Sequence, residues 1–250
     1  MFNKSGFRFA GESITGLVRK HNEDSFLIAA PAGRSAALAV VADGVGGHRH
    51  GEIASYIICR DLGAAFAKVS DGQLQRDEDA EKFLCETVAA INRRIFAINL
   101  KEFSPHPMST TLVALLFTPG RAIMLNVGDS RFYMASSGDH VAQISTDHTL
   151  ANEKHLAPET LEDDPRALHA LTRSIGTRYN LKFEIRTLAL QGDERFLLCS
   201  DGVYRELSDR KIAAILTGAD SPEATVNALM RSALLEGAHD NTSAISVFSC

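Results

Sequence analysis

Between residues 112 and 144 the chain passes through four apolar stretches of strand length with almost nothing between them. Residues 112–117, 123–127, 132–135 and 141–144 are separated by Thr-Pro-Gly-Arg at 118–121, Gly-Asp-Ser-Arg at 128–131 and Ser-Ser-Gly-Asp at 136–139. Parallel neighbours need a crossover of a dozen or more residues. These links are far too short for one, so the strands must turn back on each other as antiparallel hairpins. That alone excludes the alternating strand–helix–strand plan of a parallel sheet over the middle of the chain.

Elsewhere, short apolar runs at 26–30, 36–42, 183–188, 195–200 and 243–248 also read as strands. Helical spacing appears in two places before the hairpins. Ala54, Ile58, Leu62, Ala65 and Phe66 form one stripe, and Leu84, Val88, Ile91, Ile95 and Ile98 form another. A helix at about 208–216 and one carrying Val226, Leu229, Met230 and Ala233 follow. Such stripes are core faces. Meandering strands with paired helices predict an α+β fold with antiparallel sheets covered by helices. No repeat, low-complexity stretch or linker rich in Pro, Gly or Ser divides the sequence, so residues 1–250 are expected to form one domain.

Charge excludes some functions. There are 26 Lys and Arg against 31 Asp and Glu, a formal net charge of −5. A broad nucleic-acid surface calls for basic clusters instead. The longest apolar runs, such as 36–42, fall well short of the ~20 residues of a membrane helix. The first residues mix Lys4, Arg8 and Glu12 among aromatics and lack a signal-peptide core. A cytoplasmic protein is expected. Cys59, Cys85, Cys199 and Cys250 show no metal-finger spacing and are expected as reduced thiols.

The acid is not evenly spread. Apolar strands run into Asp43-Gly44, Asp129 and Asp201-Gly202, while Asp240-Asn241 and Glu23-Asp24 stand just before strands. Each alone is an ordinary turn carboxylate. Together, at strand ends, they can meet at one edge of a sheet stack, where they raise one another's pKa values. Such a cluster persists best with cations, and hard oxygen ligands suit Mg²⁺ or Mn²⁺. Glycine after Asp43 and Asp201 allows close backbone approach to a ligand and frees a carbonyl. Arg19 supplies a planar fork suited to phosphate. Spacing alone thus reaches a metal-dependent phosphoesterase as one possibility.

These residues resemble the bacterial metal-dependent Ser/Thr protein phosphatases of the phosphatase 2C (PPM) type. The matches, in family order, are Arg19-Lys-His-Asn-Glu23-Asp24, Val41-Ala-Asp43-Gly44-Val-Gly-Gly47-His48, Met108-Ser-Thr-Thr111, Val127-Gly-Asp129-Ser-Arg131, Asp147-His148, Leu171-Thr-Arg-Ser-Ile-Gly176, Cys199-Ser-Asp201-Gly202-Val and His239-Asp240-Asn241-Thr242. Any one is weak; the ordered set, spanning Arg19 to Phe248, is specific. The resemblance implies a four-layer αββα sandwich with a di-manganese or di-magnesium centre at one end. It implies that Asp43 bridges both metals, the Gly44 carbonyl binds one, and Asp201 and Asp240 bind the other. Glu23 would reach the metals through water, with Asp24 beside it, and Arg19 would hold the phosphate. The nucleophile would be a metal-bridging water, with no phosphoenzyme. Residues 147–170 match the variable flap beside the site. Phosphoproteins, targets of a cognate Ser/Thr kinase, would be the substrates of a monomeric enzyme.

Two departures from the family pattern stand out. Val45 replaces the histidine that relatives from higher organisms offer as general acid, leaving the proton donor unassigned, with metal-held water as one candidate. Arg205 stands where a carboxylate often helps hold a third metal with the residue matching Asp129. That third site is therefore open, and Arg19 is the cation assigned to the pocket.

Cys199-Ser-Asp-Gly202-Val-Tyr-Arg205 fits the Cys-x-x-Gly-x-x-Arg loop of cysteine phosphatases. Asp201 would place a carboxylate among the amides that must hold phosphate, so the expected role of Cys199 is a core cysteine at a strand end. A catalytically impaired phosphoprotein binder would be favoured by loss of Asp43, Asp201 or Asp240, and none is lost. No Gly-Lys pair of a Walker loop occurs. His21, His48, His50 and His148 are expected to be structural or solvent-facing.

Overall fold

The computed structural model describes residues 6–45, 50–136, 140–153 and 167–249. The chain begins with β1 (Phe7–Ile14), β2 (Ser25–Ala29) and β3 (Ala37–Ala42), followed by α1 (Gly51–Lys68) and α2 (Asp77–Glu102). The hairpins are β4 (Leu112–Thr118), β5 (Arg121–Val127), β6 (Arg131–Ala135) and β7 (Val141–Gln143). Then come β8 (Glu184–Ala189), β9 (Arg195–Cys199), α3 (Asp201–Tyr204), α4 (Asp209–Gly218), α5 (Pro222–Glu236) and β10 (Thr242–Ser249). The strands form two five-stranded sheets, ordered β2-β3-β4-β5-β8 and β1-β10-β9-β6-β7. Every strand pairing is antiparallel.

The apolar runs are unbroken because both faces of each sheet are covered. In β3, Ala37, Ala39 and Val41 face the layer between the sheets, with Val113, Phe117, Phe132, Phe196 and Val247. The alternate residues Leu38, Val40 and Ala42 meet Ile58, Leu62, Phe66, Leu84 and Val88 of α1 and α2. On the other side, Leu197, Cys199 and Ala244 pack on Ile212, Leu216, Val226 and Leu229 of α4 and α5. The result is the helix–sheet–sheet–helix sandwich. Local chemistry marks the helix ends. Ser208 and Ser221 accept the backbone N–H of Lys211 and Ala224 as N-caps. Pro222 begins α5, and Gly237, with φ 116°, ends it.

β1 was not singled out by the sequence pattern. Its apolar alternation fails at Gly11 and Glu12, and it is recruited by β10, with Ile14 opposite Thr242. Of the flap, Thr149 bridges to Leu171 and a short 3₁₀ turn covers Ala167–His169. The remainder of the flap, His48 and the turn residues 137–139 lie outside the described residues. His50 starts α1 with its ring 4.7 Å from that of Phe103, and His148 Nδ1 accepts the Gly128 N–H at 3.1 Å. Both serve the fold, as expected.

Candidate metal and phosphate site

The strand-end acids reach one rim of the sandwich from both sheets. Asp43 leaves β3 and Asp129 leaves β5, while Asp201 follows β9 and Asp240 precedes β10. With Glu23, Gly44, Arg19 and Arg205 they line a single cleft of about 470 Å³.

Backbone contacts hold the carriers. The Asp43 N–H donates to Thr111 Oγ1 at 2.9 Å, and its carbonyl accepts from Thr111 N and Thr110 Oγ1, both at 2.8 Å. The Gly44 N–H donates to the Glu23 carbonyl at 3.1 Å. A Cβ on Gly44 would stand 2.6 Å from that oxygen, and one on Gly202 would stand 2.1 Å from the Asn241 carbonyl. The glycines are therefore required by close approach of the protein's own backbone, a tighter constraint than approach to a ligand.

Asn241 ties the rim together. Its Oδ1 accepts the Glu23 N–H, and its Nδ2 donates to the carbonyls of Thr15 and His21, each at 2.9 Å. One amide thus fixes the loop that carries Arg19 and Glu23 against the start of β10. Arg19 Nη2 lies 2.7 Å from Asp240 Oδ2. Asp24 lies behind the cleft wall and is 8% exposed. Ser200 and Ser243 each donate to its Oδ2 at 2.7 Å, while Oδ1 is buried with no partner. These neutral polar residues were not assigned from sequence, because Asn and Ser carry no distinctive spacing.

The electrostatics are those of crowded, desolvated acid. Burial pushes the carboxyls of Asp24, Asp129 and Asp201 each up to about 6. Asp43 is driven well above the ordinary range, first by desolvation and then by Asp24, Asp201 and Asp129 around it. Glu23 is also raised, mainly by burial and by Glu52. Arginine relieves part of this load. Arg205 Nη2 lies 2.9 Å from Asp201 Oδ2 and 3.5 Å from Asp129 Oδ2. Arg19 is thus not the sole cation of the pocket. Arg205 follows Asp201 by one helical turn, which puts both on the same side of the chain.

The donor set fits a divalent hard cation. It consists of carboxylate and carbonyl oxygens, and its acids raise one another's pKa. Among the described residues no three of them already converge as ligands of one ion. Asp240 and Asp201 are ion-paired with Arg19 and Arg205, so cation binding has to compete with those pairs.

The cysteine alternative fails at the same place. Cys199 is fully buried between sheet and helices. Burial raises its thiol far above the usual range, opposite to what a nucleophilic thiolate needs. Arg205 is engaged by the two aspartates. Replacing Cys199 by Ser is expected to leave turnover of an aryl phosphate within about threefold of wild type. Abolished turnover with no sensitivity to chelator would reverse that reading.

The family model for protein phosphatase 2C matches residues 18–234. The chain belongs to the protein phosphatase 2C family. Among relatives of this phosphatase, the protein phosphatase PhpP of Streptococcus pneumoniae is 33% identical over 215 residues, 84% of each chain. PppA of Pseudomonas aeruginosa, described as a key regulatory component of T6SS, superposes with a TM-score of 0.80 at 32% identity, covering 98% of both chains. The catalytic domain of the serine/threonine protein phosphatase PstP, solved in complex with 2 manganese ions, superposes with a TM-score of 0.78 at 30% identity over 97% of each chain. This phosphatase 2C chain is an enzyme that removes phosphate from serine and threonine of proteins in a metal-dependent reaction.

Proposed function

We propose that Asp43, Asp201, Asp240 and the Gly44 carbonyl hold two divalent cations, Mn²⁺ or Mg²⁺, at this rim. Glu23 contributes through water, and Asp24 supports Asp43 from behind. Cations held there would supply Lewis-acid lowering of the pKa of water and neutralisation of phosphate charge. Arg19 binds and orients the phosphate. It sits at the cleft edge with its side chain 46% exposed, so a phosphate can share its guanidinium with Asp240. Val45 has no proton to give, so the leaving seryl oxygen takes its proton from water in the cleft.

The observation that carries this reading is the convergence of Asp43, Asp129, Asp201 and Asp240 on one cleft that also contains Arg19. Four separate segments bring desolvated, mutually repelling acid to one place. A fold tolerates such repulsion where cations relieve it. An impaired binding relative is disfavoured because this acid set is intact.

We further assign residues 1–250 to one catalytic domain. No described helix is long and apolar enough to cross a membrane. Cys59, Cys85 and Cys199 are free thiols, which supports a reducing, cytoplasmic setting. The substrates are phosphoproteins made by a Ser/Thr kinase, and the working unit is a monomer. Substrate selection falls to the flap and the adjoining cleft, lined by Arg131, Asp147, Tyr204 and Asp209.

The test is hydrolysis of a phosphothreonine peptide with Mn²⁺ and with chelator. Phosphate release is expected only with the metal; full activity in chelator overturns the reading. In the same assay Arg19→Ala is expected to raise KM about tenfold and to lower kcat less. A loss of kcat with unchanged KM would move Arg19 out of substrate binding.

A further inference from the structure

Two charged residues of the cleft, Arg205 and Asp129, have no task in the two-cation reading. The place of Arg205 is specific. The helix that opens with Asp201 makes a single turn, and Arg205 closes it, accepting a position four residues on. Its N–H bonds the Asp201 carbonyl at 2.9 Å, which fixes the turn. Its guanidinium then reaches back over two acids of different sheets, Asp201 at 2.9 Å and Asp129 at 3.5 Å. Those side chains are only 12% and 7% exposed, whereas Arg205 remains 48% exposed toward solvent. Among the described residues no other basic side chain pairs with either acid. The Tyr204 hydroxyl donates to the Asp129 carbonyl at 3.0 Å and holds the turn that presents that acid.

We propose that Arg205 is a built-in cation of this centre. It occupies the gap between Asp129 and Asp201, so that this pair takes no divalent ion and the loaded enzyme carries two. A guanidinium keeps its charge at every working pH, and here its Nη2 faces both carboxylates. A divalent ion entering the same gap meets that fixed positive charge and must displace it. The arrangement makes neutralisation of Asp129 independent of metal supply. Arg205 thereby acts as a charge-balancing residue, and Asp129 positions it.

The inference rests on the two-cation reading, and one titration separates their failures. Mn²⁺ bound per chain is measured by calorimetry and by elemental analysis after equilibrium dialysis. The wild-type enzyme is expected to bind two equivalents, and Asp129→Asn to leave that count unchanged. Arg205→Asp, with folding checked by circular dichroism, is expected to gain a third equivalent at least tenfold tighter than any further binding to wild type. Adding Asp129→Asn to that variant is expected to remove it. Arg205→Ala serves if the aspartate variant does not fold, and it too should gain the third ion. Three equivalents in wild type, or no gain in either folded variant, overturns the role of Arg205. No specific Mn²⁺ binding by wild type overturns the two-cation reading itself, and the role of Arg205 falls with it.

Discussion

Replacing Asp43 by Asn is expected to abolish turnover while making the metal-free protein harder to melt. The drop in kcat/KM should be at least about a thousandfold, ~4 kcal/mol of barrier, because a proposed metal ligand is lost. The backbone bonds that clamp residue 43 to Thr110 and Thr111 do not involve its carboxylate and survive the change. Stability moves the other way. Asp43 is opposed by its surroundings, with Asp24, Asp201 and Asp129 adding to the cost of its burial. A neutral amide of the same shape removes that repulsion. A structural residue loses stability and activity together; a metal ligand in a crowded acidic site loses activity and gains stability. Steady-state kinetics and a melting curve in chelator distinguish them, and a thousandfold loss accompanied by a lower melting temperature would point to a structural role.

A second large effect concerns pH in the absence of metal. Asp24, Asp129 and Asp201 have folded-state pKa values of about 6, raised by burial above the ordinary carboxylate range. Between about pH 4 and 6 the native state therefore binds more protons than the unfolded chain, and stability falls as pH rises through that window. From pH 5.5 to 7.5 the three acids together should cost the metal-free protein about 2 kcal/mol, on the order of 5 °C in melting temperature. Below that window the trend is opposed by acids held low by their partners, such as Asp71 beside Ser35 and Arg34 and Glu194 on the Gln191 and Gly192 amides. These lose their contribution as they become protonated. Saturating Mn²⁺ should reverse the slope, because protons compete with metal for the same oxygens. Melting curves at the two pH values, with chelator and with Mn²⁺, measure it. A chelated protein that grows more stable from pH 5.5 to 7.5 would contradict the proposed acid cluster.

The sheets were legible because their signals are local. Period, run length and turn residues placed the strands from β2 onward and both helical pairs within a few residues. β1 lacked that signal, since Gly11 and Glu12 interrupt its alternation and its partner lies at the far end of the chain. The acids were legible because each ends or precedes an apolar run, and the order of motifs did the rest. What the residues could not convey was direction. That Arg205 points back onto Asp201 and Asp129 depends on the single turn of α3. That Gly44 and Gly202 are pressed against the backbone of Glu23, Gly51 and Asn241 depends on contacts between remote segments. Asn241 and the serines around Asp24 work through hydrogen bonds that polar residues make throughout a fold, so only their placement reveals them.

The position of β10 bears on when the enzyme exists during its own synthesis. This last strand lies inside its sheet, between β1 and β9, and Asp240 and Asn241 immediately precede it. A nascent chain that has emerged through α5 already holds Asp43, Asp129 and Asp201. It still lacks the acid paired with Arg19, the amide that fixes the Arg19 loop, and the strand that joins the first segment of the fold to β9. On the proposed ligand set, a polypeptide that stops short of Asp240 is therefore expected to release no phosphate.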